Sequence, residues 1–268
     1  MRSSLVLTTY DWPDALDLVL ASIAHQTVLP GEVLVADDGS GEATAEVVRA
    51  WAPRFADRRL SLHHVWHEDE GFRAAAIRNR ALARARGDYV LLIDGDCVLH
   101  PDFVSSHLAF ARPGQFVQGT RVLLSQARAA RALAGGETRF SALEAGIGNR
   151  LNALPLGWLS AFVPTPGDPL AGVRSCNMGF WLADARRVNG FNEQFVGWGR
   201  EDSEFVARLG NAGLRRRKLK FGGIMYHLWH PERPRDALET NDQLLAAVRA
   251  AGSTWAGDGM DKYGPALR

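Results

Sequence analysis

Short apolar runs and helical patterns alternate through the first hundred residues, and this alternation constrains the fold more than any other feature. Residues 5–7 are uniformly apolar, which is typical of a strand buried on both faces of a sheet. Residues 14–26 carry apolar side chains at the spacing of an amphipathic helix. The same criteria predict, in order, a strand at 33–36, a helix ending near Trp51, a strand at 60–66, a helix at 74–86 and a strand at 89–93. This order predicts an α/β fold with a mostly parallel, Rossmann-like sheet flanked by helices.

The remainder of the chain is less regular. It predicts helices at 102–111, 126–133, 138–154, 201–212 and 236–251, and strands at 116–124 and 180–182. Residues 154–172 contain four prolines and three glycines, so they are predicted to form a long loop, a type of segment that often closes over or binds a ligand. With 268 residues, of which 46% are hydrophobic, the chain can build one large domain. We divide that domain into residues 1–125 and 126–268.

Composition excludes some functions. The 31 basic and 30 acidic residues nearly cancel, which gives no general attraction to nucleic acid. Two cysteines, Cys97 and Cys176, fit a reducing cytosol better than a disulfide scaffold. The N-terminal apolar stretch is too short for a signal peptide, and no run reaches the ~18 apolar residues of a membrane span. We expect a cytoplasmic protein, with peripheral contact at the cytoplasmic membrane face left open. The basic run at 215–218 fits an anionic surface, but a solvated strand edge is favoured.

Two aspartates end the fourth predicted strand, at the sheet edge where open α/β folds bind ligands. Asp94 and Asp96 flank Gly95, and side chains two apart on an extended chain face the same side. Their mutual repulsion would be relieved by a divalent cation such as Mg²⁺ or Mn²⁺; the alternative is a turn with two solvated carboxylates. His227 follows an apolar run and would complete such a site in favour of Mn²⁺. A hydrogen-bonded core histidine is the alternative for His227, and His230 is the competing ligand.

Polar residues also follow the other predicted strands. Tyr10 and Thr8 end the first strand, where the tyrosine either stacks on a base or packs internally. Asp38 ends the second, where it either accepts hydrogen bonds from a base or ribose or belongs to a simple turn. Arg73 opens the following helix and could pair with diphosphate oxygens. The other arginines of that helix are interpreted as its solvated face: Arg78, Arg80, Arg84 and Arg86.

A second acidic pair, Glu201 and Asp202, begins a predicted helix. Acidic residues are favoured there by the helix dipole, so a purely structural role is one interpretation. The preceding residues 197–200 contain two glycines and Trp198, which indicates a loop that allows close approach of a ligand. A carboxylate at this position could remove a proton from an acceptor hydroxyl as a general base.

Together these motifs resemble glycosyltransferase family 2, inverting enzymes of the GT-A fold. Residues 177–180 and 190–202 are similar to the C-terminal part of β-1,4-galactosyltransferases and of bacterial chondroitin polymerases. The resemblance implies these roles: uridine binding by Thr8, Tyr10 and Asp38, diphosphate binding by Arg73, ribose contact by Asp94, metal ligation by Asp96 and His227, a sugar platform at Trp198, sugar hydroxyl binding by Glu201 and a general base at Asp202. One departure is Arg200, where the galactosyltransferases have glycine, so their acceptor preference is not carried over.

The resemblance therefore implies an inverting, Mn²⁺- or Mg²⁺-dependent enzyme. It would move a hexose or N-acetylhexosamine from a UDP-sugar to a glycan or lipid-linked glycan, in bacterial surface polysaccharide or lipopolysaccharide synthesis. Two alternatives remain, a sugar nucleotidyltransferase and a non-catalytic nucleotide-sugar-binding module. The first should carry a Gly-rich basic loop after its first strand, where this chain has Thr-Tyr-Asp-Trp-Pro. The sequence predicts no oligomeric state.

Overall fold

The computed structural model describes residues 1–165, 167–231 and 235–264. The strands are β1 Ser3–Thr9, β2 Glu32–Asp37, β3 Ser61–Trp66, β4 Tyr89–Asp94, β5 Cys97–Leu99, β6 Gln115–Gly119, β7 Val122–Leu124, β8 Ile147–Gly148, β9 Asn177–Trp181, β10 Arg215–Leu219 and β11 Met225–His227. The α-helices are α1 Pro13–Ala24, α2 Glu42–Ala56, α3 Ala74–Arg84, α4 Phe103–Phe110, α5 Gln126–Gly135, α6 Leu182–Arg187, α7 Glu201–Asn211 and α8 Leu238–Ala251. Short 3₁₀ helices cover Arg150–Ala153, Gly157–Phe162 and Met260–Tyr263.

Seven strands form the central sheet, in the order β10-β6-β9-β4-β1-β2-β3. Neighbouring strands within the group β1 to β4 are parallel, as the alternating pattern predicts. The strand β9 runs antiparallel between β4 and β6, and β10 closes that end parallel to β6. Strands from residues 1–125 and from residues 126–268 therefore share one sheet.

Helices cover both faces of this sheet, which explains the unbroken apolar runs in β1, β2 and β4. Leu5 and Leu7 of β1 pack into a core with residues of α1 and α2, whereas Val6 packs into a second core with residues of α3 and α7. Successive side chains of a strand point to opposite faces, so an unbroken apolar run is what burial on both sides requires. The parallel register then aligns the strand ends, with Thr8 opposite Asp94.

A second sheet, in the order β5-β11-β7-β8, stands beside the ends of the first. The strand β5 begins directly after the Asp94–Asp96 turn, and β11 pairs with it in antiparallel register that places His227 opposite Cys97. This pairing brings His227 beside Asp96 although 130 residues separate them in sequence. The small sheet thus builds one wall of the site.

The predicted helix at 138–154 is wrong. The segment instead contains β8 and a 3₁₀ turn, because Gly146 has a positive φ of 83° and its carbonyl accepts a hydrogen bond from Ser125 N–H. A buried Arg128 binds Glu137 and Glu144 at 2.7 and 3.0 Å, which fastens the same segment to α5. Tertiary pairing has overridden local helical preference here.

Two other predictions change in detail. The single strand predicted at 116–124 is divided between β6 in the central sheet and β7 in the small one. The interpretation of 215–218 as a solvated edge is wrong for Arg216, which is buried and donates hydrogen bonds to the carbonyls of Pro169 and Ala171 at 2.9 and 2.8 Å. In the part of the chain that the structure describes, no helix combines the length and apolar character needed to cross a bilayer.

Candidate active site

The aspartate turn lies against the end of β1. Gly95 N–H donates to the Thr8 carbonyl at 2.6 Å, which draws the turn onto the neighbouring strand. A Cβ at Gly95 would approach Thr9 Oγ1 to 2.9 Å, so a side chain at this position would push the turn away. Asp94 and Asp96 are consequently held at one point beyond the sheet.

Asp96 faces two histidines. Its Oδ2 lies 3.5 Å from His227 Nε2 and 3.2 Å from His230 Nε2, and one ligand atom from each of the three residues falls within 4.8 Å of the others. The Asp96 carbonyl also accepts a hydrogen bond from Leu228 N–H at 2.8 Å, which fixes the chain between the two histidines. The structure thus brings both candidate histidines, rather than one of them, to Asp96.

Protonation in this cluster suits a divalent cation. Burial alone would raise the pKa of Asp96, but the hydrogen bond from His230 and the charge of His227 hold that pKa below its ordinary value. Burial lowers the pKa of His227, against the opposing effect of Asp96, and so favours the neutral imidazole. An ionised carboxylate and a neutral imidazole are the forms that ligate metals. Two nitrogens beside one oxygen fit Mn²⁺ better than Mg²⁺, which prefers oxygen ligands.

Arg78 occupies the centre of the site, so its interpretation as part of a solvated helix face is wrong. Its side chain is buried and reaches Glu201 Oε1 at 2.9 Å and Asp94 Oδ1 at 3.4 Å. It also donates to Ser175 Oγ at 3.0 Å and Thr8 Oγ1 at 3.3 Å. Arg78 therefore connects the strand-end carboxylate to the acidic pair of α7.

The other three arginines of the predicted helix, of which Arg86 lies just beyond α3, fit their interpretation to different degrees. Arg84 and Arg86 are exposed, as a solvated face requires. Arg80 is half-buried and its guanidinium lies 5.0 Å from the ring centre of Tyr263. Of these four arginines, Arg78 is the one whose side of the helix faces the ends of β1 and β4.

Asp202 lies in the first turn of α7 with hydrogen bonds that orient its carboxylate. Ser175 N–H donates to Oδ2 at 3.2 Å, and Ser203 N–H donates to Oδ1 at 2.6 Å. Burial, followed by the charge of Glu201, raises the pKa of Asp202 to about 7, with Arg78 acting in the opposite direction. A carboxyl group with a pKa near neutrality can both accept and release a proton.

The loop before α7 is held in an unusual conformation. Gly197, Gly199 and Arg200 all have positive φ angles, of 76°, 107° and 76°. Gly197 N–H donates to the Phe72 carbonyl at 3.0 Å, which joins the loop to the segment before α3. Trp198 is partly exposed on this loop, and the Arg235 guanidinium lies 5.1 Å from its ring centre.

Asp38 and its neighbours form a second polar group at the end of β2. Asp38 is buried, and its two oxygens contact His67 Nε2 at 2.8 Å and Arg73 N–H at 2.9 Å. The Arg73 guanidinium itself lies 3.5 Å from Glu70. Tyr10 is half-exposed, and its hydroxyl donates to Asp69 at 3.0 Å.

Sequence reasoning did not single out His67, Arg78 or Ser175. His67 directly follows the predicted strand at 60–66, so the strand-end rule applied to Asp38 would also have found it. Arg78 offered a weaker indication, as a charged residue among alanines. Ser175 lies after the predicted loop at 154–172, and nothing in the local sequence points to its contacts.

Comparisons with known proteins identify related families. The family described as glycosyl transferase family 2 matches residues 4–156, more than half of the chain, and the one described as the N-terminal domain of galactosyltransferase matches residues 163–231. Hyaluronan synthase of Pasteurella multocida is 29% identical over 258 residues, covering 89% of this chain and 25% of the synthase.

Other curated relatives are similar over most of this chain. Validoxylamine A glucosyltransferase of Streptomyces hygroscopicus subsp. limoneus is 31% identical over 227 residues, covering 79% of this chain and 48% of the relative. Chondroitin synthase of Escherichia coli is 27% identical over 248 residues, covering 84% of this chain and 34% of the synthase. The chain thus spans between a quarter and about half of the length of these relatives.

Solved structures share the fold at low sequence identity. The mannosyltransferase PcManGT from Pyrobaculum calidifontis, solved with GDP-Man and Mn²⁺, is 22% identical with a TM-score of 0.60, covering 93% of this chain and 63% of that chain. S. aureus TarS solved with UDP is 18% identical with a TM-score of 0.61, covering 94% and 68%. The expected GT-A fold is confirmed. On the extent of the family match, the chain belongs to glycosyltransferase family 2.

Proposed function

We propose that this chain is an inverting glycosyltransferase that moves a hexose or N-acetylhexosamine from a UDP-sugar to a hydroxyl of a glycan. The observation that carries the proposal is the contact of Arg78 with both Asp94 and Glu201, since it joins a candidate metal site to a candidate base in one cleft. The solved relatives support the donor class, because TarS was solved with UDP and with UDP-GlcNAc.

Asp202 is the proposed general base. It would take the proton of the acceptor hydroxyl while the oxygen bonds to the anomeric carbon and the bond from that carbon to the diphosphate oxygen breaks. Attack from the face opposite the nucleotide inverts the anomeric configuration. Its pKa of about 7 suits this task, since a base works best when its pKa lies near the working pH.

Asp96, His227 and His230 are the proposed metal ligands, and the ion they would hold supplies positive charge for the departing diphosphate. Arg73 is proposed to add a second positive charge there. The buried Arg78 is proposed to stay charged and to align Glu201 and Asp94, since the neighbouring carboxylates raise its pKa more than burial lowers it.

The remaining roles concern substrate binding. Thr8, Tyr10 and Asp38 are proposed to bind uridine, with Asp94 toward the ribose. For the acceptor sugar, Trp198 offers a partly exposed ring in the loop that leads to the proposed general base, and Glu201 offers an oxygen for a sugar hydroxyl.

The acceptor is proposed to be a growing surface polysaccharide or a lipid-linked glycan. Hyaluronan and chondroitin synthases among the relatives support a role in polysaccharide synthesis. This chain covers only part of those proteins, so the proposal concerns the transfer step alone.

A panel of uridine and guanosine diphosphate sugars tests the function. Thermal unfolding in Mn²⁺ should shift upward with a UDP-sugar, because a ligand that binds only the folded state stabilises it, and EDTA should remove the shift. Slow donor hydrolysis in the same mixtures would separate an enzyme from a non-catalytic binding module. If no nucleotide sugar in the panel raised the unfolding temperature, that result would contradict the proposal.

A further inference from the structure

Exposed apolar side chains concentrate in one short part of the chain. In the described residues, 12 large apolar side chains are exposed, and five of them lie between positions 143 and 162. Trp158 and Phe162, on the 3₁₀ helix Gly157–Phe162, are 70% and 77% exposed. Aromatic residues this exposed mark an interaction surface when they cluster.

The orientation of this helix is set by its central residue. Ser160 is buried, and its hydroxyl donates to the Lys220 carbonyl. A 3₁₀ helix turns by about 120° per residue, so positions two before and two after Ser160 lie about 120° to either side of its buried direction. Trp158 and Phe162 occupy those positions. We call these two residues the aromatic pair.

The chain beside the aromatic pair is basic. Thr165 donates to the Arg216 carbonyl at 3.3 Å, so the segment that follows the helix runs along the outer edge of β10. Lys218 and Lys220 are half-exposed at this edge. No acidic residue occurs from 205 to 231, and the single charged residue from 145 to 167 is Arg150. Asp168 near Arg216 and Asp102 beside Gly157 compensate part of this charge. The surface therefore combines apolar rings with an excess of basic residues.

We propose that the aromatic pair, Lys218 of β10 and Lys220 just after it form a surface that binds an anionic lipid bilayer peripherally. Aromatic rings favour the bilayer interface, and lysines are attracted to anionic headgroups. The same segment leads on to Ser175, whose N–H donates to the candidate base Asp202. The role of Asp202 rests on the proposed function; the binding surface does not.

Vesicle co-sedimentation tests the surface. Wild-type protein should bind vesicles of phosphatidylcholine mixed with phosphatidylglycerol, and bind phosphatidylcholine alone far less. The double variant Trp158→Ser/Phe162→Ser should lower the partition coefficient at least about tenfold. The double variant Lys218→Gln/Lys220→Gln should lower it by about fivefold per lysine and weaken its dependence on salt. Trp255→Ser is the matched control, since Trp255 is 52% exposed outside this segment.

A conservative variant keeps the test valid if the serine variants misfold. Trp158→Phe should still bind, but it should lose much of the tryptophan quenching that brominated lipids cause in the wild type. Equal binding by all variants, or no binding by the wild type, would overturn the inference. A dimeric wild type and a monomeric Trp158→Ser/Phe162→Ser variant would also overturn it, since that result would assign the surface to a second copy of the chain. UDP-sugar binding measured without vesicles separates failure of this surface from failure of the proposed function.

Discussion

At the scale of single residues, a buried cation among carboxylates sets the chemistry of the site. Arg78 faces Asp94, Glu201 and Asp202, and its charge opposes the effect of burial on the pKa values of Asp94 and Asp202. Burial still dominates at Asp94 and Asp202, where it raises the pKa values to about 6 and about 7. The number of protons bound by these carboxyl groups therefore changes near neutral pH.

Replacement of Asp202 tests the base directly. Asp202→Asn keeps the shape of the side chain but removes the proton acceptor, so turnover should fall by at least ~10². UDP-sugar binding, measured by calorimetry, should stay unchanged. Asp184→Asn on α6 is the matched control and should retain turnover. Near-normal turnover in Asp202→Asn would remove Asp202 from this role.

The dependence of activity on pH provides a second test. The base must be ionised, and the pKa of Asp202 is about 7, so kcat/KM should fall by about tenfold per pH unit below that value and level off above it. Glu201→Gln removes a charge that raises this pKa, so the midpoint should move to lower pH even though activity drops. A midpoint that stays in place would show that another group titrates.

At the scale of secondary structure, the site depends on α3 and α7 meeting across the sheet end. Arg78 of α3 bonds to Glu201 of α7, and Gly197 before α7 bonds to Phe72 before α3. Both contacts join the metal side to the base side. Neither follows from local sequence, because each spans more than a hundred residues.

Removal of the cross-link should destabilise the protein. Arg78→Met would leave buried carboxylates without their cation, which typically costs about 3–5 kcal/mol in the free energy of unfolding. Urea unfolding measures the change. Arg84→Met, exposed on the same helix, should change that free energy by no more than about 0.5 kcal/mol. Equal stability of the two variants would contradict a structural role for Arg78.

The sequence predicts the parallel half of the fold well for a physical reason. Strands β1, β2 and β4 contain unbroken apolar runs and their ends are polar, so both the parallel sheet and the position of Asp94 follow from local pattern. The segment at 138–154 was mispredicted because pairing with β7 and the binding of its Glu144 by Arg128 decide its conformation. Arg78 looks solvent-exposed in sequence because burial of a charge is decided by partners that lie far along the chain.

At the scale of the whole molecule, two sheets cooperate to assemble the metal cluster. The central sheet presents the turn that contains Asp96, and the antiparallel pairing of β11 with β5 brings His227 to it. His230 arrives just after that strand, at 3.2 Å from Asp96 Oδ2. Asp96 is far along the chain from the two histidines, so the cluster exists only in the folded protein.

Binding of Mn²⁺ to the nucleotide-free protein, followed by electron paramagnetic resonance, tests this convergence most directly. We predict one bound ion per chain, loss of that ion in Asp96→Ala, and weaker binding in both His227→Ala and His230→Ala. UDP-sugar binding should then require the ion in the wild type. Unchanged Mn²⁺ binding in Asp96→Ala, or UDP-sugar affinity that chelation does not alter, would contradict the account.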